Sequence, residues 1–151
     1  MVSEMEDETA DLLREKAWEY GTTTGRGRRI GWFDAVAGSY GTRVNGFTSL
    51  VLTRLDVLDG FSSIKICLGY ELNGQVIDYF PANVDKLERC RPVYEELSGW
   101  DEPTASVTRE EDLPKEALAY VRRIEELVGC KIHLISTGPE RQETIPIEPI
   151  L

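Results

Sequence analysis

The chain of 151 residues has one histidine, three cysteines and no CxxC pair, and nowhere carries a long unbroken apolar run. Each shortage excludes something. A lone His133 puts most metal centres and hydrolytic triads out of reach, and its place in the alternating run KIHLIS (131–136) reads as a strand position. Cys67, Cys90 and Cys130 are odd in number and far apart, so they read as core thiols of a reducing, cytoplasmic compartment, not as disulfides or zinc ligands. A membrane-spanning helix needs roughly 18 or more consecutive apolar residues, and none of the runs approaches that. The first residues, MVSEMEDETADLL, are acidic where a secretory signal is basic and then apolar. Basic charge is also scarce: 17 Lys and Arg stand against 27 Asp and Glu, a formal net charge of −10 with pI about 4.6. Such a chain has no general electrostatic footprint for nucleic acid. No GxxxxGK phosphate loop occurs anywhere, and no metal ligands are expected.

Against that acidic background, residues 20–32 (YGTTTGRGRRIGW) stand out. Glycine lets the backbone turn tightly and approach a ligand closely. Thr22, Thr23 and Thr24 offer short hydroxyls, and Arg26, Arg28 and Arg29 offer forked donors matched to carboxylate and phosphate oxygens. No apolar period runs through the stretch, which predicts a loop between two helices. A compact basic patch in an acidic chain points to a small anion bound locally; the plainer alternative is a solvated turn.

The rest of the chain suits one α/β domain over residues 1–151, able to bury roughly 70% of its unfolded surface. Residues 5–19 have helical spacing with acids early and basic residues later, as the helix dipole favours. Helix is expected from residue 32 through Ala37, with Gly38 and Gly41 weakening it and Gly46 as a stop. Residues 48–55 (TSLVLTRL) read as a buried strand of the parallel type. Residues 64–72 and 75–80 flank Asn73-Gly74, the signature of a type I′ hairpin. Asn83 is placed to cap a short helix over 83–90, and residues 92–97 form a strand ahead of a polar loop over 98–112. The apolar stripe of 113–128 predicts a helix opened by Pro114 and stopped by Gly129, followed by a strand over 131–136 and a last segment, ETIPI. The expected fold class is α/β with a mostly parallel sheet, crossover helices and one antiparallel hairpin.

Two further stretches carry possible chemistry. Arg54-Leu55-Asp56 lies at the carboxyl end of a predicted strand, where open α/β sheets bind ligands. A carboxylate there can accept from both the ring N–H and the exocyclic amino group of guanine, an adjacent donor pair that adenine lacks. Ser136-Thr137-Gly138 follows another buried strand, and its backbone N–H groups can meet a carbonyl such as guanine O6. Each pattern alone reads better as an ordinary turn; their joint placement at strand ends, with the arginine loop, favours a site.

Taken in order, GTTTGRGRRIGW, LTRLDVLDGF, PVYEELSGW, YVRRIEELVG and ISTGPERQETI closely resemble the carboxyl-terminal part of adenylosuccinate synthetase, over nearly the whole chain. The resemblance implies part of a P-loop-NTPase-like fold and a GTP-dependent carbon–nitrogen ligase. That enzyme joins IMP and L-aspartate through 6-phosphoryl-IMP, with magnesium, as a cytoplasmic homodimer serving AMP biosynthesis. Carried over by position, Thr22, Thr23, Thr24, Gly25, Arg26, Gly27 and Arg28 form the loop that closes over aspartate. Arg26 also reaches IMP. Arg28, Arg54, Leu55, Asp56, Ser136, Thr137 and Gly138 contact GTP. The chain departs from the family at Gly27, often arginine there, and at Arg54, usually lysine; Gly27 lowers the charge of the loop and adds freedom. The family's phosphate loop, catalytic residues and magnesium site have no counterpart here. The expectation is therefore a portion of the enzyme inactive alone, the alternative being a non-catalytic nucleotide-binding or interaction module.

Overall fold

The computed structural model of the chain describes residues 1–147. The carboxyl end of ETIPI reaches Ile147, and residues 148–151 lie outside the described part.

The centre is a 12-residue strand. Strand β5 (Phe61–Leu72) alternates buried and partly buried positions, with Ile64, Ile66, Cys67 and Tyr70 fully enclosed. Three strands pair with it. β3 (Phe33–Asp34) lies parallel to it, β6 (Gln75–Ile77) antiparallel across the hairpin, and β7 (Arg91–Trp100) antiparallel along almost its whole length. A second sheet has the order β4 (Leu50–Leu52), β8 (Ile132–Ser136), β9 (Thr144–Pro146), parallel between the first two and antiparallel between the last two. A two-residue ribbon, β1 (Glu4–Met5) with β2 (Ile30–Gly31), completes the pairing. The α/β class holds, but the sheets are mixed: among the described residues two strand pairings are parallel and four antiparallel. The parallel emphasis of the sequence reading is corrected by β7. Its 10 residues extend into the stretch read as a polar loop, because β5 offers a long edge to bond against.

Among the described residues four α-helices accompany these sheets, and their ends follow local chemistry. α1 (Glu8–Ala17) starts where the Asp7 carboxylate accepts the Ala10 N–H at 3.0 Å. α2 (Ala35–Asn45) starts three residues later than the sequence suggests, because Asp34 caps it by accepting the Ala37 N–H at 3.0 Å. It also runs through Gly38 and Gly41 to its left-handed stop at Gly46. Gly38 lies close under its neighbours, where a Cβ would come within 3.2 Å of Val128 and 3.3 Å of Phe33. α3 (Val84–Glu88) is capped by Asn83, and α4 (Lys115–Val128) ends at Gly129 in the left-handed conformation. The apolar stripe of α4 (Tyr120, Val121, Ile124, Val128) lies in one cluster with Ile64 and Ile66 of β5 and Ile132 and Ile135 of β8, so this helix bridges the two larger sheets. At the hairpin, Asn73 and Gly74 have φ of 53° and 78°, the pair of positive values a type I′ turn requires.

All three cysteines are buried and free. Among the described residues no helix is long and apolar enough to cross a membrane.

Candidate functional site

β4 and β8 run side by side and parallel, so the segments that leave their carboxyl ends are neighbours. Arg54 follows β4 in the left-handed conformation (φ 58°), and its N–H donates to the Ser136 hydroxyl oxygen at 2.8 Å. This bond ties together the two segments read as guanine contacts, 82 residues apart in sequence. The next residue, Leu55, is core: it is 1% exposed, so only its backbone is available to a ligand. A 3₁₀ turn over Leu55–Leu58 then carries Asp56 back toward Arg54. The Arg54 guanidinium grips the Asp56 carboxylate in a fork, Nε to Oδ1 at 3.0 Å and Nη2 to Oδ2 at 3.0 Å.

Asp59 ends the turn and has a different office. One carboxylate oxygen accepts from Trp100 Nε1 at 2.6 Å and the Thr104 hydroxyl at 2.9 Å, the other from the Thr104 N–H at 2.8 Å. As a sequence pattern, Asp59-Gly60 signals no more than a turn. The lock it forms needs a tryptophan and a threonine more than 40 residues away, and no local pattern announces them.

The second segment is partly spent on itself. Thr137 is fully buried; its N–H donates to Glu143 O at 2.8 Å and its hydroxyl to Val107 O at 3.2 Å. Among the described residues none accepts from the Gly138 N–H, which leaves it the donor of this turn. The Glu143 carboxylate lies against Gly138, so close that a Cβ there would require that side chain to move.

The arginine loop begins where α1 ends. Gly21 and Arg26 close it with a backbone bond at 2.8 Å, Gly25 turns at φ 65°, and Tyr20 and Gly27 form an isolated antiparallel bridge. Thr22, Thr23, Thr24, Gly25, Arg26 and Gly27 are all exposed. The basic patch is smaller than three arginines suggest. Arg28 pairs with Glu19 at 3.0 Å, and Arg29 pairs with Glu4. Arg26 alone has no acidic partner among the described residues. Gly27 lies against the Arg14 side chain of α1. A Cβ there would meet Arg14 Cδ at 2.9 Å, because Arg14 lies across it to donate from Nε to Arg28 O at 2.9 Å. The short side chain thus makes room for a brace from α1.

Loop and strand ends meet at α1. The Arg54 guanidinium reaches Ala17 O and Lys16 O, each at 3.4 Å, at the last turn of the helix that feeds the loop. Beside this contact lies a cavity of about 290 Å³, walled by Glu19, Ile30, Gly31 and Trp32 on one side and by Leu52, Thr53, Arg54 and Leu55 on the other. Gly31 is required here, because Ser3, just before β1, lies so close that a Cβ would meet its carbonyl oxygen at 2.4 Å.

Three comparisons bear on this arrangement. A family model described as adenylosuccinate synthetase matches residues 1–145. The chain belongs to the adenylosuccinate synthetase family. It is 55% identical over 143 residues to the adenylosuccinate synthetase of Caldanaerobacter subterraneus subsp. tengcongensis, covering 95% of this chain and 33% of that protein. The corresponding Clostridium perfringens enzyme is 52% identical over 145 residues, covering 96% and 34%. A fully ligated adenylosuccinate synthetase from Plasmodium falciparum superposes with a TM-score of 0.93 at 34% identity, over 98% of this chain and 36% of that one. The chain therefore spans about a third of the length of these synthetases, and its α/β architecture is a partial synthetase fold.

In this synthetase segment the base of the arginine loop has a measurable electrostatic signature. The Arg29 hydrogen bond, reinforced by its charge, holds the Glu4 carboxyl down to about 2 from its ordinary 4.5. A depressed carboxyl stabilises the folded state above its unfolded value, and that contribution disappears as pH falls from 4.5 toward 2. A carboxyl-carbon NMR titration should place the Glu4 midpoint near 2 in the wild type and near 4.5 in Arg29→Gln. Equal midpoints would mean the pair does not form in solution.

Proposed function

We propose that this chain serves adenylosuccinate synthesis as the part of the ligase that reads the guanine of GTP and closes over L-aspartate, and that it has no synthetase activity alone. The reaction joins IMP and L-aspartate at the expense of GTP. The observation that carries the reading is the Arg54 N–H bond to Ser136, which sets Asp56 and Gly138 at adjacent ends of two parallel strands. In that frame the Asp56 carboxylate accepts from the guanine ring N–H and amino group, and the Gly138 N–H donates to O6. Ser136 and Thr137 hold the turn that presents Gly138, and Arg54 and Leu55 set the backbone that presents Asp56. Thr22, Thr23 and Thr24 supply hydroxyls to the aspartate carboxylates, with Gly25 and Gly27 shaping the loop. Arg26, unneutralised, binds the same carboxylates and reaches IMP. Arg28 reaches GTP by leaving Glu19.

Phosphoryl transfer needs a positioned triphosphate, metal and acid–base groups. Mg²⁺ is usually held by one or two carboxylates together with substrate phosphates, so its site belongs with the phosphate-binding part of the enzyme. The remainder of a cytoplasmic, homodimeric synthetase supplies that site. Purified chain with IMP, GTP, magnesium and aspartate should form no adenylosuccinate, and adding the remaining polypeptide of a synthetase should restore it. Turnover that follows the chain alone through purification would overturn this reading.

A further inference from the structure

The residue before Leu55 does more than shape a turn. Guanine offers a carboxylate two adjacent donors, the ring N–H and one amino hydrogen, in one plane. A guanidinium offers the same two-donor edge. Arg54 presents that edge to Asp56, with Nε on Oδ1 and Nη2 on Oδ2, both at 3.0 Å. Both acceptor oxygens needed for a base are thereby taken. Three further contacts seat the guanidinium and its backbone: the Arg54 N–H on Ser136, and the carbonyls of Lys16 and Ala17, which carry the partial negative charge of a helix end. The pair is partly shielded, with side chains 30% and 17% exposed. The Arg54 side chain already reaches solvent, so the guanidinium can swing off Asp56 into water.

We propose that Arg54 is a built-in mimic of the guanine edge, closing the empty base site on Asp56 and yielding to the incoming nucleotide. This rests on Asp56 reading the base. The consequence is a tax on affinity: guanine binds only the fraction of molecules in which Arg54 has swung off. An arginine that simply stacks on the base makes the opposite forecast, since its removal weakens binding.

The test is an NMR titration of the chain with guanosine, which is neutral and lacks phosphates, with adenosine as control. Arg54→Gln should bind guanosine about two- to fivefold more tightly than wild type, the range expected for releasing a partly exposed ion pair. Salt sharpens the comparison, because screening loosens the plug but has no direct charge on guanosine to act on. Raising ionic strength from about 0.05 to 0.5 M should tighten wild-type binding about twofold and leave Arg54→Gln unchanged. Arg54→Lys, which keeps the charge but loses the fork, should fall between the two and serves if Arg54→Gln does not fold. Equal or weaker binding by both variants, or no salt effect in wild type, overturns the proposal while leaving base reading intact. Asp56→Asn separates the two ideas. If it binds guanosine as wild type does, or if none of the proteins binds guanosine over adenosine, the base-reading assignment fails and the plug with it.

Discussion

Asp56→Asn in a complete synthetase carrying this segment should lower kcat/KM for GTP by about 30- to 1,000-fold, while KM for IMP and aspartate stays near wild type. In the proposed reading the carboxylate accepts two bonds from guanine, and bonds to a charged acceptor are worth roughly 1.5–3 kcal/mol each. Asparagine keeps one oxygen but turns an amide donor toward a guanine donor, so a net loss of about 2–4 kcal/mol follows. The same amide suits xanthosine triphosphate, whose extra carbonyl accepts from it, so the GTP-to-XTP preference should fall by more than GTP use alone. Stability should barely respond. The ion pair lost with Arg54 is partly exposed (side chains 30% and 17%), and such pairs contribute up to about 1 kcal/mol. If the preference between GTP and XTP does not move, Asp56 is not reading the base.

That prediction concerns a residue the sequence could nominate, and the reason is instructive. Asp56, Ser136 and Gly138 each follow a run of β-branched and leucine residues, and such runs announce a strand end. What the runs do not announce is who lies beside whom. The parallel pairing of β4 with β8, which sets the two turns side by side, joins segments about 80 residues apart. Local signals were equally good elsewhere. Asn73-Gly74, Asn83, Pro114 with Gly129, and Gly46 all act where their chemistry says, because turns and caps are made by nearest neighbours.

Errors fell where distant partners decide. β4 is only three residues long, with Val51 more than half exposed, so the apolar run TSLVLTRL overstates the buried strand. α2 continues through Gly38 and Gly41 because the helix as a whole packs on α4 and β5, a tertiary gain set against a propensity cost of about 1 kcal/mol per glycine. Gly99 shows the same logic in β7: a Cβ would meet Phe61 O at 1.7 Å, so the strand can continue past Leu97 only with glycine there. In the arginine loop the residue types were legible, but their charge balance was not. Glu19 and Glu4 neutralise two of the three arginines, and only folding brings Glu4 to Arg29.

Asp59→Ala should have the opposite signature from Asp56→Asn, three residues away: a large loss of stability before any change in base preference. The Asp59 carboxylate takes three hydrogen bonds, from Trp100 Nε1, the Thr104 hydroxyl and the Thr104 N–H. Trp100 is 3% exposed and Thr104 is fully buried, so water cannot readily replace the carboxylate. Leaving a buried donor unsatisfied costs about 1–3 kcal/mol, and with partial relaxation the three together should cost about 3–5 kcal/mol. For a chain of this size that corresponds to a fall in Tm of about 10 °C or more. Asp59→Asn retains one acceptor oxygen and should lose about half as much. Urea unfolding followed by tryptophan fluorescence measures this directly, with an unchanged m value showing that the loss is in the folded state. The functional link is mechanical. Asp59 pins one end of the 3₁₀ turn over Leu55–Leu58 and the Arg54 bond to Ser136 pins the other, with Asp56 held between them. A variant that survives at low temperature should therefore weaken GTP use while keeping its preference over XTP, because the reading carboxylate is intact but poorly held. Unfolding within about 1 kcal/mol of wild type would show that the Trp100–Thr104 lock does not position this segment.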